Sequence, residues 1–199
     1  MKKTIYLEGG GDAKELHVRC REGFRKLLEQ SGFRGRMPRL VACGGRAATF
    51  DDFQTEHAQQ GRRDYVAMLI DSETPVADVE ATWAHLATHE GWQRPPGAED
   101  EQVLFMTTCM ESWIVADRAA LAKHYGRTLQ ENALPPLADL EDRRRDDVQS
   151  RLVHATRNCS NAYAKGKRSF EVLEKLDPTT LAQQLPSFAR VRRILNDKL

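Results

Sequence analysis

The run "YVAMLID", residues 65–71, places six apolar residues in succession ahead of an acid. A strand with one wet face alternates apolar and polar residues. An unbroken apolar run of this length belongs to a strand covered on both faces, as in a parallel sheet flanked by helices. Three further segments read as strands, at about 3–8, 38–43 ("PRLVAC") and 102–108 ("QVLFMTT"), with the run above as the third in order, at about 64–70. Helical spacing fills the intervals. Leu16, Cys20, Phe24, Leu27 and Leu28 recur on one face before a stop near Gly32; Thr49, Phe50 and Phe53 follow the second strand; Val79, Trp83 and Leu86 precede Gly91. Strand and helix alternating in this way predict an α/β fold whose strand C-termini share one edge, where such folds carry their sites.

Beyond residue 111 the chain reads as helical: "SWIVADRAALAKHYG", "DLEDRRRDDVQSRLVHATRN" and "RSFEVLEKL", with Asp177 and Pro178 as the N-cap and first turn of a further helix. The expected organisation is a core over 1–118 and a helical, basic C-terminal extension over 119–199 packed on it.

A chain of 199 residues, 40% hydrophobic, is long enough to bury such a core. Its apolar runs fall well short of the roughly 20 residues that a membrane helix needs, and the apolar part of "MKKTIYLEGGG" is too short for a secretory signal. Cytoplasmic residence, with no membrane partner, is the default expectation. The four cysteines, Cys20, Cys43, Cys109 and Cys159, form no CxxC pair and are expected to be reduced. From residue 143 onward there are 13 Lys and Arg against 6 Asp and Glu, whereas the remainder carries 17 against 23. A basic third on an acidic body suits either a polyanionic partner or a set of solvated helix faces.

Acids cluster at the predicted site edge. Glu8 ends the first strand ahead of Gly9, Gly10 and Gly11; Asp71 and Glu73 end the third in "LIDSETP"; Glu111 follows the fourth in "CMESWIVADR". Residues two apart in extended chain point to one side, so Asp71 and Glu73 can face one ion. Neighbouring strands lie about 5 Å apart, and carboxylates that close repel unless a cation sits between them. A hard divalent cation with oxygen ligands, Mg²⁺ or Mn²⁺, is the expected cofactor.

"YLEGGGD" followed by "LIDSE" resembles the Toprim domain of topoisomerases, bacterial primases and OLD-type nucleases. Over most of its length the chain is similar to a bacterial domain-of-unknown-function family of short Toprim-like proteins, through "IYLEGGGDAKELHVRCREGFRKLL", "GRMPRLVACGGR", "MESWIVADR", "ENALP" and "RNCSNAYAKGKRSFEVL". The resemblance implies a Toprim-like (Rossmann-like), mainly parallel four-stranded sheet and Mg²⁺-dependent cleavage of DNA or RNA. It implies Glu8 as general acid/base or shared ligand, and Asp71 and Glu73 as Mg²⁺ ligands. Glu73 stands where the Toprim pattern has Asp, which lengthens the side chain and keeps the charge. Members of the family are often encoded beside an ABC- or SMC-type ATPase, in an arrangement like two-component anti-phage defence. Association with a second copy of the chain stays open.

Cations complete the expected site. Lys165, Lys167 and Arg168 surround Gly166 near Tyr163, a combination that grips backbone phosphate. Lys165 or Lys167 would stabilise charge developing on a phosphate. Arg46 follows the second strand, and the amides of Gly10 and Gly11 could cradle a phosphate, although no GK[ST] follows them. Arg143 to Arg145 alternate with acids and read as a solvated face. His85 and His89 have helical zinc spacing but lack the HExxH glutamate. The functional expectation is a Toprim-type nuclease. A non-catalytic subunit docking on an ATPase and a phosphatase acting on nucleotides are the alternatives.

Overall fold

The computed structural model describes residues 2–61 and 63–199. Four strands, β1 (Lys3–Gly10), β2 (Arg39–Gly44), β3 (Tyr65–Asp71) and β4 (Val103–Met106), form an all-parallel sheet in the order β2-β1-β3-β4. This is the α/β architecture expected, a Rossmann-like sheet flanked by helices. Every residue of β3 is buried, as its unbroken apolar run requires.

Side chains alternate across the sheet with the strand period of two. Ile5, Leu7, Ala67, Leu69, Leu104 and Met106 feed one core, while Tyr6, Val66, Met68, Ile70, Val103 and Phe105 feed the other. The second core is closed by α2 (Arg46–His57), through Phe50 and Phe53, and by α3 (Thr82–Glu90), through Trp83 and Leu86. The first core is closed by α1 (Lys14–Leu28) and by the helices that follow β4: α4 (Met110–Ala116), α5 (Arg118–Tyr125), α6 (Arg145–Thr156), α7 (Lys167–Leu173), α8 (Pro178–Gln184) and α9 (Pro186–Lys198). Apolar residues of the later helices, Leu152, Leu173, Leu181 and Ile194 among them, join one continuous cluster with those of β1 and β3.

Several boundaries differ from the sequence reading. The third helix begins at Thr82, leaving Val79 outside it, because the Asp100 carboxylate accepts from Trp83 N–H (2.8 Å) and Thr82 Oγ1 (3.1 Å) and fixes the first turn there. The stretch from Ser112 to Tyr125 is two helices. Asp117 breaks it: its Oδ1 accepts from Ala120 N–H (3.0 Å), capping α5, while Oδ2 accepts from Asp177 N–H (2.8 Å) some 60 residues away. The Asp177 cap and Pro178 first turn form as expected, with the Asp177 carboxylate accepting from the Thr179 and Thr180 amides. All four cysteines are free thiols. Among the described residues, no helix is long and apolar enough to cross a membrane.

Candidate metal centre and its cleft

The C-terminal ends of β1 and β3 are neighbours. Leu7 pairs with Leu69, so Glu8 emerges beside the end of β3, and the Asp71 amide donates to Glu8 Oε2 (3.0 Å). Asp71 and Glu73 do share a side, though not because the chain stays extended. The strand ends at Asp71, and Glu73 lies in the left-handed region, at φ 66°. Its amide donates to Thr108 O (2.9 Å), and that of Ser72 donates to Met106 O (3.2 Å), so the turn is pinned along the exit of β4. Glu8, Asp71 and Glu73 each present a carboxylate oxygen within 4.8 Å of the others.

The electrostatics follow from crowding. Burial, then the charges of Glu8 and Glu111, push the Asp71 carboxyl well above its ordinary range; Arg145 and the Met110 amide (2.8 Å from Oδ1) oppose this. Burial also raises Glu8, against the pull of Arg46, the Asp71 amide, Arg145 and Lys165.

Two arginines flank the acids. Arg46, expected on substrate, packs against Glu8 and is not among the residues that line the cleft. Its Nη1 donates to Asp71 O and stands 3.6 Å from Glu8 Oε2; Nη2 is 3.3 Å from Glu90, and the guanidinium lies over Trp92, itself stacked on Phe50. Arg145, expected on a solvated face, instead pairs with Glu73 and stands 3.8 Å from Asp71 Oδ2. No local pattern marks it. It is the first residue of α6, and only the packing of that helix against α4, with Thr108 Oγ1 donating to Arg143 O just ahead of it (3.1 Å), carries it to the sheet edge.

In front of the acids opens a cleft of about 330 Å³, lined by Glu8, Asp71, Glu111, Arg145 and Lys165 and floored by Gly9, Gly10 and Gly11. Two glycines are required there for close approach: a Cβ on Gly44 would fall 2.5 Å from Gly11 O, and one on Gly10 2.7 Å from the His17 ring. Glu111 lines the cleft but stands apart from the three converging acids. It is only 2% exposed, accepts from Tyr163 Oη (2.7 Å) and Gln149 Nε2 (3.2 Å), and lies 3.8 Å from Lys165 Nζ. Burial and the Glu111 charge drive the Tyr163 hydroxyl strongly upward, so it stays protonated and donates.

The remaining candidates divide. Lys165 reaches the cleft, whereas Lys167 lies in a separate groove with Arg19, Glu22 and Glu174. Arg168 turns back to Ala162 O (2.5 Å). His85 is not arranged as a zinc ligand: its Nε2 meets Ser72 O (3.1 Å) beneath the turn.

The family described as "Domain of unknown function (DUF4276)" matches residues 7–196. The chain belongs to this family. Neither the curated proteins nor the solved structures gave a match. For this DUF4276 member the acids themselves speak to chemistry. An all-oxygen donor set from three carboxylates, one of them buried and resisting ionisation, fits a hard divalent cation that keeps several waters. Glu8, Asp71 and Glu73 would hold it.

Proposed function

We propose that the chain is a Mg²⁺-dependent nuclease of Toprim type, hydrolysing phosphodiester bonds of DNA or RNA, with Mn²⁺ able to substitute. The observation that carries this reading is the convergence of Glu8, Asp71 and Glu73 oxygens within 4.8 Å at the sheet edge, with Glu8 and Asp71 lining a cleft that Arg145 and Lys165 also line. A bound divalent ion supplies an acidified water and neutralises charge on the phosphate. The protein's own groups do the rest. Lys165 and Arg145 attract the phosphate, the glycine loop lets the backbone approach it, and Glu8, its carboxyl raised by burial, is suited to move a proton at Oε1 or Oε2. Tyr163 and Gln149 hold Glu111 in one orientation beside Lys165.

Action as the effector of an ABC- or SMC-type ATPase in anti-phage defence belongs to the same proposal and rests on the resemblance to the family of short Toprim-like proteins; cytoplasmic residence joins it as the default for a chain whose apolar runs are short. A second reading, a non-catalytic subunit docking on such an ATPase, draws on one observation: Arg145 already neutralises two of the acids. The test is cleavage of labelled single- and double-stranded DNA and RNA under Mg²⁺ or Mn²⁺, with the ATPase present. Glu8→Gln and Asp71→Asn should each abolish cutting while the protein still melts cooperatively. If wild-type protein cuts none of these substrates, and a variant with all the acids replaced binds the ATPase as well as wild type does, the second reading is established.

A further inference from the structure

The two arginines at the acids are held very differently. Arg46 is immobilised by Asp71 O, Glu8, Glu90 and the face of Trp92, with its side chain only 12% exposed. Arg145 is 30% exposed, and among the described residues its side chain has only Asp71 and Glu73 as ion-pair partners. It starts a helix and lines the same cleft as the glycine loop. Its guanidinium therefore rests on the carboxylates that would hold the ion.

From this we infer that Arg145 is a cation that stands in for the metal and then serves as the clamp for the substrate phosphate. The inference rests on the metal reading above. A guanidinium and a divalent ion on the same two carboxylates repel strongly at such separations, so entry of one displaces the other. Swung off Glu73, the guanidinium stays in the cleft, where its planar fork matches two phosphate oxygens. The crowded acids are thus never left uncompensated. By linkage, a phosphodiester that engages the freed arginine tightens the ion, and the ion tightens the phosphodiester by the same factor. Lys165 cannot play this part, because it pairs with Glu111 rather than with the converging acids.

The test needs no turnover. Mn²⁺ is titrated calorimetrically into wild-type protein, Arg145→Ala, Arg145→Lys and Arg151→Ala. Arg151→Ala removes the same charge from α6, but at a side chain that faces solvent and pairs with Asp147. Removing the competing cation should lower the Mn²⁺ Kd by about ten-fold or more in Arg145→Ala. Arg145→Lys, which keeps a point charge without the fork, should give a smaller gain, and Arg151→Ala should match wild type. A phosphorothioate dinucleotide should tighten Mn²⁺ binding to wild type by a clearly larger factor than to Arg145→Ala, and an equal factor in the two would overturn the clamp. Equal Kd values for wild type and Arg145→Ala, or an equal gain in Arg151→Ala, would overturn the stand-in role and leave the metal site intact. Failure of all four proteins to bind Mn²⁺ would overturn both. Should Arg145→Ala not fold, Arg145→Lys decides alone, and a Kd no lower than that of wild type refutes the inference.

Discussion

Replacing Asp71 by asparagine should stabilise the metal-free protein, although it destroys the proposed site. The Asp71 oxygen that faces the cluster lies within 4.8 Å of oxygens from both Glu8 and Glu73. At an effective dielectric of about 20, each such pair costs about 3 kcal/mol when both members are ionised. Burying the charge adds a penalty of roughly several kcal/mol. Against this stands Arg145, 3.8 Å away, which would return about 4 kcal/mol by the same rule but is discounted because it reaches solvent. Asparagine keeps the acceptor for the Met110 amide and the packing volume while removing the charge. Because the carboxyl can take up a proton instead of bearing the whole of that cost, only a part of it is recovered: the net gain should be about 2 kcal/mol, or roughly 6 °C in Tm for a chain of this size.

The pH dependence follows from the same crowding. The folded state raises the Asp71 pKa well above its unfolded value, so the folded protein binds that proton more tightly. Its contribution to stability is therefore greatest below the unfolded pKa, is lost as pH rises through the folded pKa, and stays low above it. The asparagine that replaces it does not titrate. The advantage of Asp71→Asn should accordingly be smallest near the ordinary carboxylate pKa of about 4 and grow as pH rises from there towards the folded value. Thermal melts in EDTA across that range measure it directly. Added Mn²⁺ should reverse the ranking by stabilising wild type alone. If Asp71→Asn melts at or below wild type in EDTA at the alkaline end of that range, the carboxylate is net stabilising through its arginine and amide, and the crowding argument fails.

Two further substitutions probe the walls of the cleft. Gly44→Ala combines a φ of 83° with a Cβ 2.5 Å from Gly11 O, so it should cost about 2 kcal/mol or more by urea denaturation and displace the glycine loop, visible as shifted amide resonances of Gly10 and Gly11. Tyr163→Phe deletes the hydroxyl that donates to the buried Glu111 and should cost about 1–3 kcal/mol in the same assay, the penalty of leaving a buried acceptor short of its donor.

The sheet is legible in the sequence because its signals are local. The apolar run of β3 and the acids after β1 and β3 lie within a few residues of one another, and parallel topology then obliges their ends to meet. Spacing predicts the convergence of Asp71 and Glu73 but not its route, since the left-handed turn at Glu73 depends on hydrogen bonds to the exit of β4. Arg145 shows where sequence patterning fails. In a run of alternating charges nothing distinguishes Arg144, which pairs with Asp146 at the surface, from its neighbour, which reaches about 70 residues back to the acids. Glu111 reads as a ligand from its place after the fourth strand. Its partners Tyr163 and Gln149 come from separate later segments, and they make it a fixed wall of the cleft, apart from the three converging carboxylates.

The cleft draws on segments spread from Glu8 to Phe170, and this bears on when the protein acquires its chemistry. The three converging acids come from β1 and from β3 and its turn, but Arg145 comes from α6 and Lys165 from the loop before α7, and the helices after β4 also close the first core of the sheet. Covering that face and completing the cleft are therefore the same act of packing, so a truncation ahead of α6 loses the two cations together with part of that core's cover.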